Sequence, residues 1–106
     1  MTEVTLTATG GLRSALIDIE FHTACLAAAG GGVIKFICSF ENPERFRLIK
    51  NHLKMMLKEG RIKLLVPGEE FVPGTRGARI LEEYVPDALR DKDFGEKRSN
   101  IFVLMV

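Results

Sequence analysis

Residues 12 to 29 read LRSALIDIEFHTACLAAA, and the backbone period of this stretch decides the fold. As a helix it is rich in Ala and Leu and is flanked by glycine at both ends. The apolar stripe of that helix would consist of Leu12, Leu16, Ile19 and Leu26. As a strand, residues 17 to 21 alternate between apolar and acidic side chains, and the glycines at 10 and 11 would close a hairpin. Helix is the preferred interpretation, because the stretch is long for a strand and the alternation covers only its middle.

Four other segments have the composition of strands. VTLTAT (4 to 9) alternates apolar or β-branched residues with threonine, as a half-buried strand does. VIKFICSF (33 to 40) is nearly continuous in apolar residues, which is typical of a central strand covered on both faces. IKLLV (62 to 66) and IFVLMV (101 to 106) are short apolar runs of the same kind.

Two further helices are predicted between these strands. Asn42-Pro43-Glu44 supplies an N-cap residue, a first-turn proline and an acid, so a helix should run from 43 to about 59 and end at Gly60. Its buried stripe would consist of Phe46, Ile49, Leu53, Met56 and Leu57. A shorter helix is expected at 76 to 84 with Thr75 as its N-cap, although glycine at 77 has low helix propensity, and one helical turn is expected after Pro86.

The order of elements predicts the fold class. Strands alternate with helices along the chain, which indicates one α/β domain over residues 1–106, with a mainly parallel four-stranded sheet and two to three helices. If residues 12 to 29 are instead extended, the fold becomes α+β with an N-terminal β-hairpin.

Composition limits the protein's class. The chain is 46% hydrophobic and 27% charged, as globular domains are, and has no apolar run long enough to cross a membrane. The expected location is cytoplasmic, since no secretory signal pattern is present, and the two cysteines are then expected to be thiols. Their spacing indicates no metal site, and no motif indicates a cofactor.

The net charge of +1 hides an uneven distribution, since residues 43 to 63 hold seven basic and two acidic side chains. On the helix over 43 to 59, five polar residues fall within one narrow arc opposite the apolar stripe and without an acidic neighbour. They are Arg47, Lys50, Asn51, Lys54 and Lys58. Such an arc is suited to nucleic acid or another polyanion, although many solvated helix faces have the same composition.

A second candidate site lies at the carboxyl ends of the strands, where open α/β sheets bind ligands. Cys38 and Ser39 end the central strand, and Asn42 begins the next helix, so these residues are candidates for a small-ligand or enzyme site. A further candidate anion site lies at the start of the third helix, with Thr75, Arg76 and Arg79 as its residues. Neither of these two groups of residues shows whether the protein is an enzyme.

Asp18 and His22 are neighbours whether the first segment is helix or strand, because they are four residues apart. A hydrogen bond between them is therefore predicted, and the pair is a candidate dyad that lacks an identified nucleophile or metal.

These patterns lead to three hypotheses of function. The first is a cytoplasmic binding or assembly module that uses the basic helix face over 43–59 for nucleic acid or another polyanion. The second is a small-ligand protein or enzyme with its site near Cys38. The third is a homo-oligomeric structural protein that associates through an edge strand or through Leu48 and Met55, which flank the basic arc.

Overall fold

The computed structural model describes residues 1–7 and 9–106, and within them it contains a four-stranded sheet and three α-helices. The strands are β1 (Thr2–Leu6), β2 (Val33–Cys38), β3 (Leu64–Pro67) and β4 (Ile101–Met105). The helices are α1 (Gly11–Ala28), α2 (Pro43–Lys58) and α3 (Arg76–Tyr84). Two 3₁₀ turns occupy Gly68–Glu70 and Pro86–Arg90.

The stretch on which the fold class depends is helical, so α1 confirms the preferred interpretation and the N-terminal hairpin is wrong. The helix begins after Gly10, whose φ of 81° lies in the left-handed region that glycine tolerates best. The first strand lies earlier than VTLTAT predicted, and Ala8 of that segment is outside the described residues.

The sheet is mixed, so the prediction of a mainly parallel sheet is wrong. Its strand order is β1-β2-β4-β3. β1 and β2 are parallel, whereas β4 runs antiparallel to both of its neighbours, β2 and β3. The physical reason lies in residues 85–100, which contain a 3₁₀ turn and irregular backbone instead of a long crossover helix. The chain therefore enters β4 at the end of the sheet where β2 and β3 stop, and not at the end where they begin.

Helices cover both faces of the sheet, which gives two apolar cores. α1 and α2 pack on one face, where the buried residues include Ile19, Phe36, Ile49, Leu53, Phe102 and Leu104. α3 and the two 3₁₀ turns pack on the other face, where the buried residues include Val66, Phe71, Leu81, Ala88, Ile101 and Val103. β2 is central, as predicted, and is covered on both faces.

The predicted helix boundaries are close to the observed ones because the capping residues act as expected. The side chain of Asn42 accepts a hydrogen bond from the backbone N–H of Arg45 at 3.1 Å, and Thr75 accepts one from Ala78 at 3.1 Å. α3 spans the predicted residues 76–84, whereas β3 begins two residues later than predicted. No helix in the described part of the chain is long and apolar enough to cross a bilayer.

Candidate functional site

The basic arc of α2 faces away from the core, as its spacing predicts. Arg47, Asn51, Lys54 and Lys58 are exposed, and Lys50 is half-buried. The opposite side of the helix is buried through Phe46, Ile49, Leu53 and Met56. Leu57, which was predicted to complete that apolar stripe, is instead 39% exposed. α2 thus holds its five candidate polyanion-binding residues on one side of a single helix.

Two carboxylates lie beside the arc, so the prediction that it has no acidic neighbour is wrong. Arg47 donates to both carboxylate oxygens of Glu44, with Nε to Oε2 at 3.0 Å, and this hydrogen bonding lowers the pKa of Glu44. The Nζ of Lys50 lies 3.7 Å from Oε1 of Glu69. Lys54 and Lys58, one turn apart, form no salt bridge with any residue that the structure describes.

The candidates at the strand ends make structural contacts. Cys38 is 1% exposed, and burial raises the pKa of its thiol to about 12. The hydroxyl of Ser39 donates to the carbonyl of Leu6 at 3.1 Å, and the side chain of Asn42 caps α2. Asn100 also uses this end of β2, because its Nδ2 donates to the carbonyl of Cys38 at 2.8 Å.

The candidates at the start of α3 lie on the opposite face of the sheet from α1 and α2. Thr75 caps α3, and its hydroxyl also donates to the carbonyl of Val72 at 2.9 Å. Arg76 and Arg79 are both exposed. The structure therefore gives these residues a capping role and a solvated surface, and it separates them from the basic arc.

Asp18 and His22 share a side of α1, but no hydrogen bond joins them among the residues that the structure describes. The His22 ring contacts aromatic rings instead, edge-on to Phe21 at 5.3 Å and to Phe36 at 6.4 Å between centroids. Asp18 and His22 therefore lack the hydrogen bond by which an aspartate orients a catalytic histidine.

Glu20 makes the polar contacts that tie α1 to α2. Its Oε1 lies 2.9 Å from Nε2 of His52, and its Oε2 accepts from Nη1 of Arg61 at 2.6 Å. The hydrogen bond from Arg61 lowers the pKa of Glu20, against the opposing effect of burial and with a further contribution from His52. This link joins the two helices that cover one face of the sheet.

A buried charged cluster, which the sequence interpretation missed, is centred on Lys35. This residue is 0% exposed in the middle of β2, where the sequence was interpreted as an apolar run. Its Nζ lies 2.9 Å from Glu3 Oε1, 2.7 Å from Asp91 Oδ2 and 2.5 Å from Asp93 Oδ2. Burial alone would lower the pKa of Lys35, but these three carboxylates outweigh it and raise that pKa.

Two exposed cations contact the carboxylates of this cluster. Nη1 of Arg98 donates to Asp93 Oδ1 at 3.2 Å, and Nζ of Lys92 lies 3.8 Å from Glu3. The signal in the sequence was a lysine inside an apolar strand together with the acidic residues of the D-K-D run at 91 to 93. The cluster fastens the irregular segment to the sheet, and all three ammonium protons have carboxylate acceptors.

Comparison with known proteins finds no match to a family model, to a curated protein or to a solved structure. The structure keeps the basic arc together on one exposed helix face, whereas it assigns structural contacts to the strand-end residues and to Thr75.

Proposed function

We propose that this domain is a binding module that engages nucleic acid or another phosphate-rich polyanion through the outward face of α2. The observation that carries the proposal is the exposed pair Lys54 and Lys58, which lie one helical turn apart with no salt-bridge partner in the described part of the chain. Ammonium groups in this position can contact successive phosphates and release their condensed counterions.

Arg47 and Asn51 of the arc give weaker support to the same role. Arg47 is already paired with Glu44 on the surface, and exposed pairs of this kind contribute little to stability. A phosphate can therefore replace the carboxylate as the partner of the guanidinium at small cost. Asn51 adds an exposed amide between these cations, and amides commonly hydrogen-bond to phosphate or to base edges.

Fluorescence anisotropy with labelled RNA and DNA strands tests the proposal. The double variant Lys54→Glu with Lys58→Glu should weaken binding at low salt by about tenfold or more, because it reverses two of the charges that face the phosphates. On duplex DNA it should also reduce the slope of log affinity against log salt concentration by roughly 2.

The matched control reverses two exposed cations on the other face of the sheet, Arg76→Glu with Arg79→Glu. This variant has the same change in net charge, so a nonspecific effect of charge would weaken both variants equally. Equal loss in the two variants, or unchanged affinity when Lys54 and Lys58 are reversed, would exclude α2 as the binding face.

The competing hypothesis of a reactive site near Cys38 is tested by alkylation of the folded protein. Since burial raises the pKa of this thiol to about 12, iodoacetamide should modify the exposed Cys25 and leave Cys38 unmodified until the protein is denatured. Peptide mass spectrometry distinguishes the two thiols. Rapid modification of Cys38 in the native protein would favour the enzyme hypothesis instead.

A further inference from the structure

The exposed side of α1 has a composition that is unusual for a solvated helix face. The exposed residues of the helix are Arg13, Ile17, Phe21, Ala24, Cys25, Ala27 and Ala28, of which one is charged. Ile17 is 57% exposed and Phe21 is 60% exposed, one turn apart. The helix is therefore apolar on its outer side as well as on the side that packs against the sheet, and such a surface indicates a contact with another molecule.

The charges of α1 indicate what kind of molecule that is. Its first turn contains no acidic residue and its N-cap Gly10 makes no side-chain hydrogen bond, while its last turn contains no basic residue. The carbonyls of the last turn accept backbone N–H groups of residues 29–31, but no charged side chain within the terminal turns of α1 compensates the helix dipole. Arg13 lies in the first turn, where a cation is unfavourable, and it forms no salt bridge within residues 1–7 and 9–106.

We propose that the outer face of α1 is a homodimer interface in which the α1 helices of two copies pack antiparallel. In this arrangement the first turn of each helix lies beside the last turn of the other, so each Arg13 is placed near carbonyl groups at the C-terminal end of the second copy. A second copy therefore supplies both the apolar cover for Ile17 and Phe21 and the negative end of a helix dipole beside Arg13.

A two-fold axis fixes which residues meet, because the same surface serves both copies. With the axis at Phe21, the two Phe21 rings contact each other, and Ile17 of one copy faces Cys25 of the other. Arg13 then faces the region of Ala29, where α1 ends. A parallel pair of helices would bring different positions together, so disulfide cross-linking can distinguish the two arrangements.

Sedimentation equilibrium over micromolar to millimolar protein tests whether the dimer forms. The mass of the full chain should rise with concentration from 11.8 kDa towards twice that value. Phe21→Glu should weaken dimerisation by about tenfold or more, because it places a charge at the centre of the contact. Because this side chain is 60% exposed, circular dichroism should show an unchanged fold.

The control is Met55→Glu, which introduces the same charge on a 46% exposed apolar residue of α2. It should leave the association constant unchanged, whereas loss of the dimer in this variant alone would place the interface on α2. A chain that remains monomeric at millimolar concentration overturns the proposal, whether or not α1 binds a different protein.

Disulfide trapping tests the register. Under mild oxidation with copper phenanthroline, Ile17→Cys should form a dimer through the native Cys25 of the second copy, and adding Cys25→Ser should abolish that dimer. In the Cys25→Ser background, Phe21→Cys should cross-link to its own counterpart. Efficient cross-linking of Ile17→Cys in the Cys25→Ser background would mean that position 17 meets itself, which overturns the antiparallel register.

Discussion

At the scale of single residues, Lys35 shows that a buried ion cluster can occupy the centre of a sheet. Its position in β2 pairs with Glu3 of β1 and Val103 of β4, so its side chain extends over the face that α3 covers. The carboxylates of Asp91 and Asp93 reach it from the irregular segment that precedes β4. The charge is retained inside the protein because each donated proton has an acceptor.

The first prediction follows from that geometry. Lys35→Met keeps an unbranched side chain but leaves three carboxylates around it without their cation, so the free energy of unfolding should fall by about 3–5 kcal/mol. Urea denaturation followed by circular dichroism measures the change. The control is Lys92→Met, whose side chain is 74% exposed and whose removal should change stability by less than about 0.5 kcal/mol. Equal effects in both variants would contradict a central role for Lys35.

The second prediction concerns pH. Burial of Asp93 opposes its ionisation, but the hydrogen bond and charge of Lys35, with Arg98 and Lys92, outweigh this effect and lower the pKa of Asp93 in the folded protein. The unfolded chain therefore binds the proton more tightly, so the stabilising effect is complete above about pH 4, the unfolded pKa, and is lost as pH falls through the folded pKa.

Asp93→Asn should accordingly give a shallower decrease of the free energy of unfolding below about pH 4 than the unmodified protein shows. Denaturation curves at a series of acidic pH values measure the slope. Asp87→Asn, at a carboxylate that is 95% exposed, should retain the original slope. If the Asp93→Asn protein has that slope as well, the coupling to Lys35 does not contribute to acid stability.

At the scale of elements, Gly77 explains why α3 lies close to the sheet. The sequence interpretation treated this glycine as a weakness in the helix, because glycine has low helix propensity. In the structure, a Cβ at this position would lie 2.8 Å from Cγ1 of Val66 and 2.9 Å from Cβ of Glu70. The absence of a side chain therefore allows α3 to contact β3 and the 3₁₀ turn that follows it.

The third prediction is that Gly77→Ala destabilises the protein although it improves helix propensity by roughly 1 kcal/mol. Overpacking typically costs about 1–3 kcal/mol, so the two effects together should give a small to moderate net loss in the midpoint of urea denaturation. The neighbouring exposed Arg76→Ala serves as a control in the same turn of α3. Stabilisation by Gly77→Ala would show that α3 moves away from β3 at little cost.

α1 shows how far periodicity can be used for prediction. Its length and alanine content were enough to identify it as a helix, and Ile19 lies on its buried side as the spacing predicted. The spacing could not show that Ile17 and Phe21 remain exposed, because apolar residues occur on every side of this helix. The Asp18–His22 prediction rested on the spacing of four residues alone, and proximity on a helix does not determine which hydrogen bonds form.

At the scale of the whole molecule, the order of elements was predictable but the direction of the last strand was not. IFVLMV has the composition of a buried strand whether it runs parallel or antiparallel to its neighbours. Its direction depends on the path of residues 85–100, and this path is held by contacts distant in sequence, such as Lys35 with Asp93. Local patterns contain no information about such contacts.

The fourth prediction is a gradient of amide hydrogen exchange across the sheet. β2 and β4 each pair with strands on both sides, whereas β1 and β3 are the edges. The slowest amides should therefore belong to β2 and β4 and exchange only on global unfolding. Exchange followed by NMR measures this order. Equally slow exchange along the outward-facing side of β1 would require a protected edge and would indicate strand pairing between copies.

The position of β4 also constrains how the protein can fold while it is being synthesised. β4 follows the other three strands in sequence but lies between β2 and β3 in the sheet. On the ribosome, β3 has no strand to pair with until residues 101–105 have left the exit tunnel, and the edges of β2 and β3 that pair with β4 remain open until then. The nascent chain therefore completes its sheet only after β4 has emerged, and until then two unpaired strand edges are open to pairing with other chains.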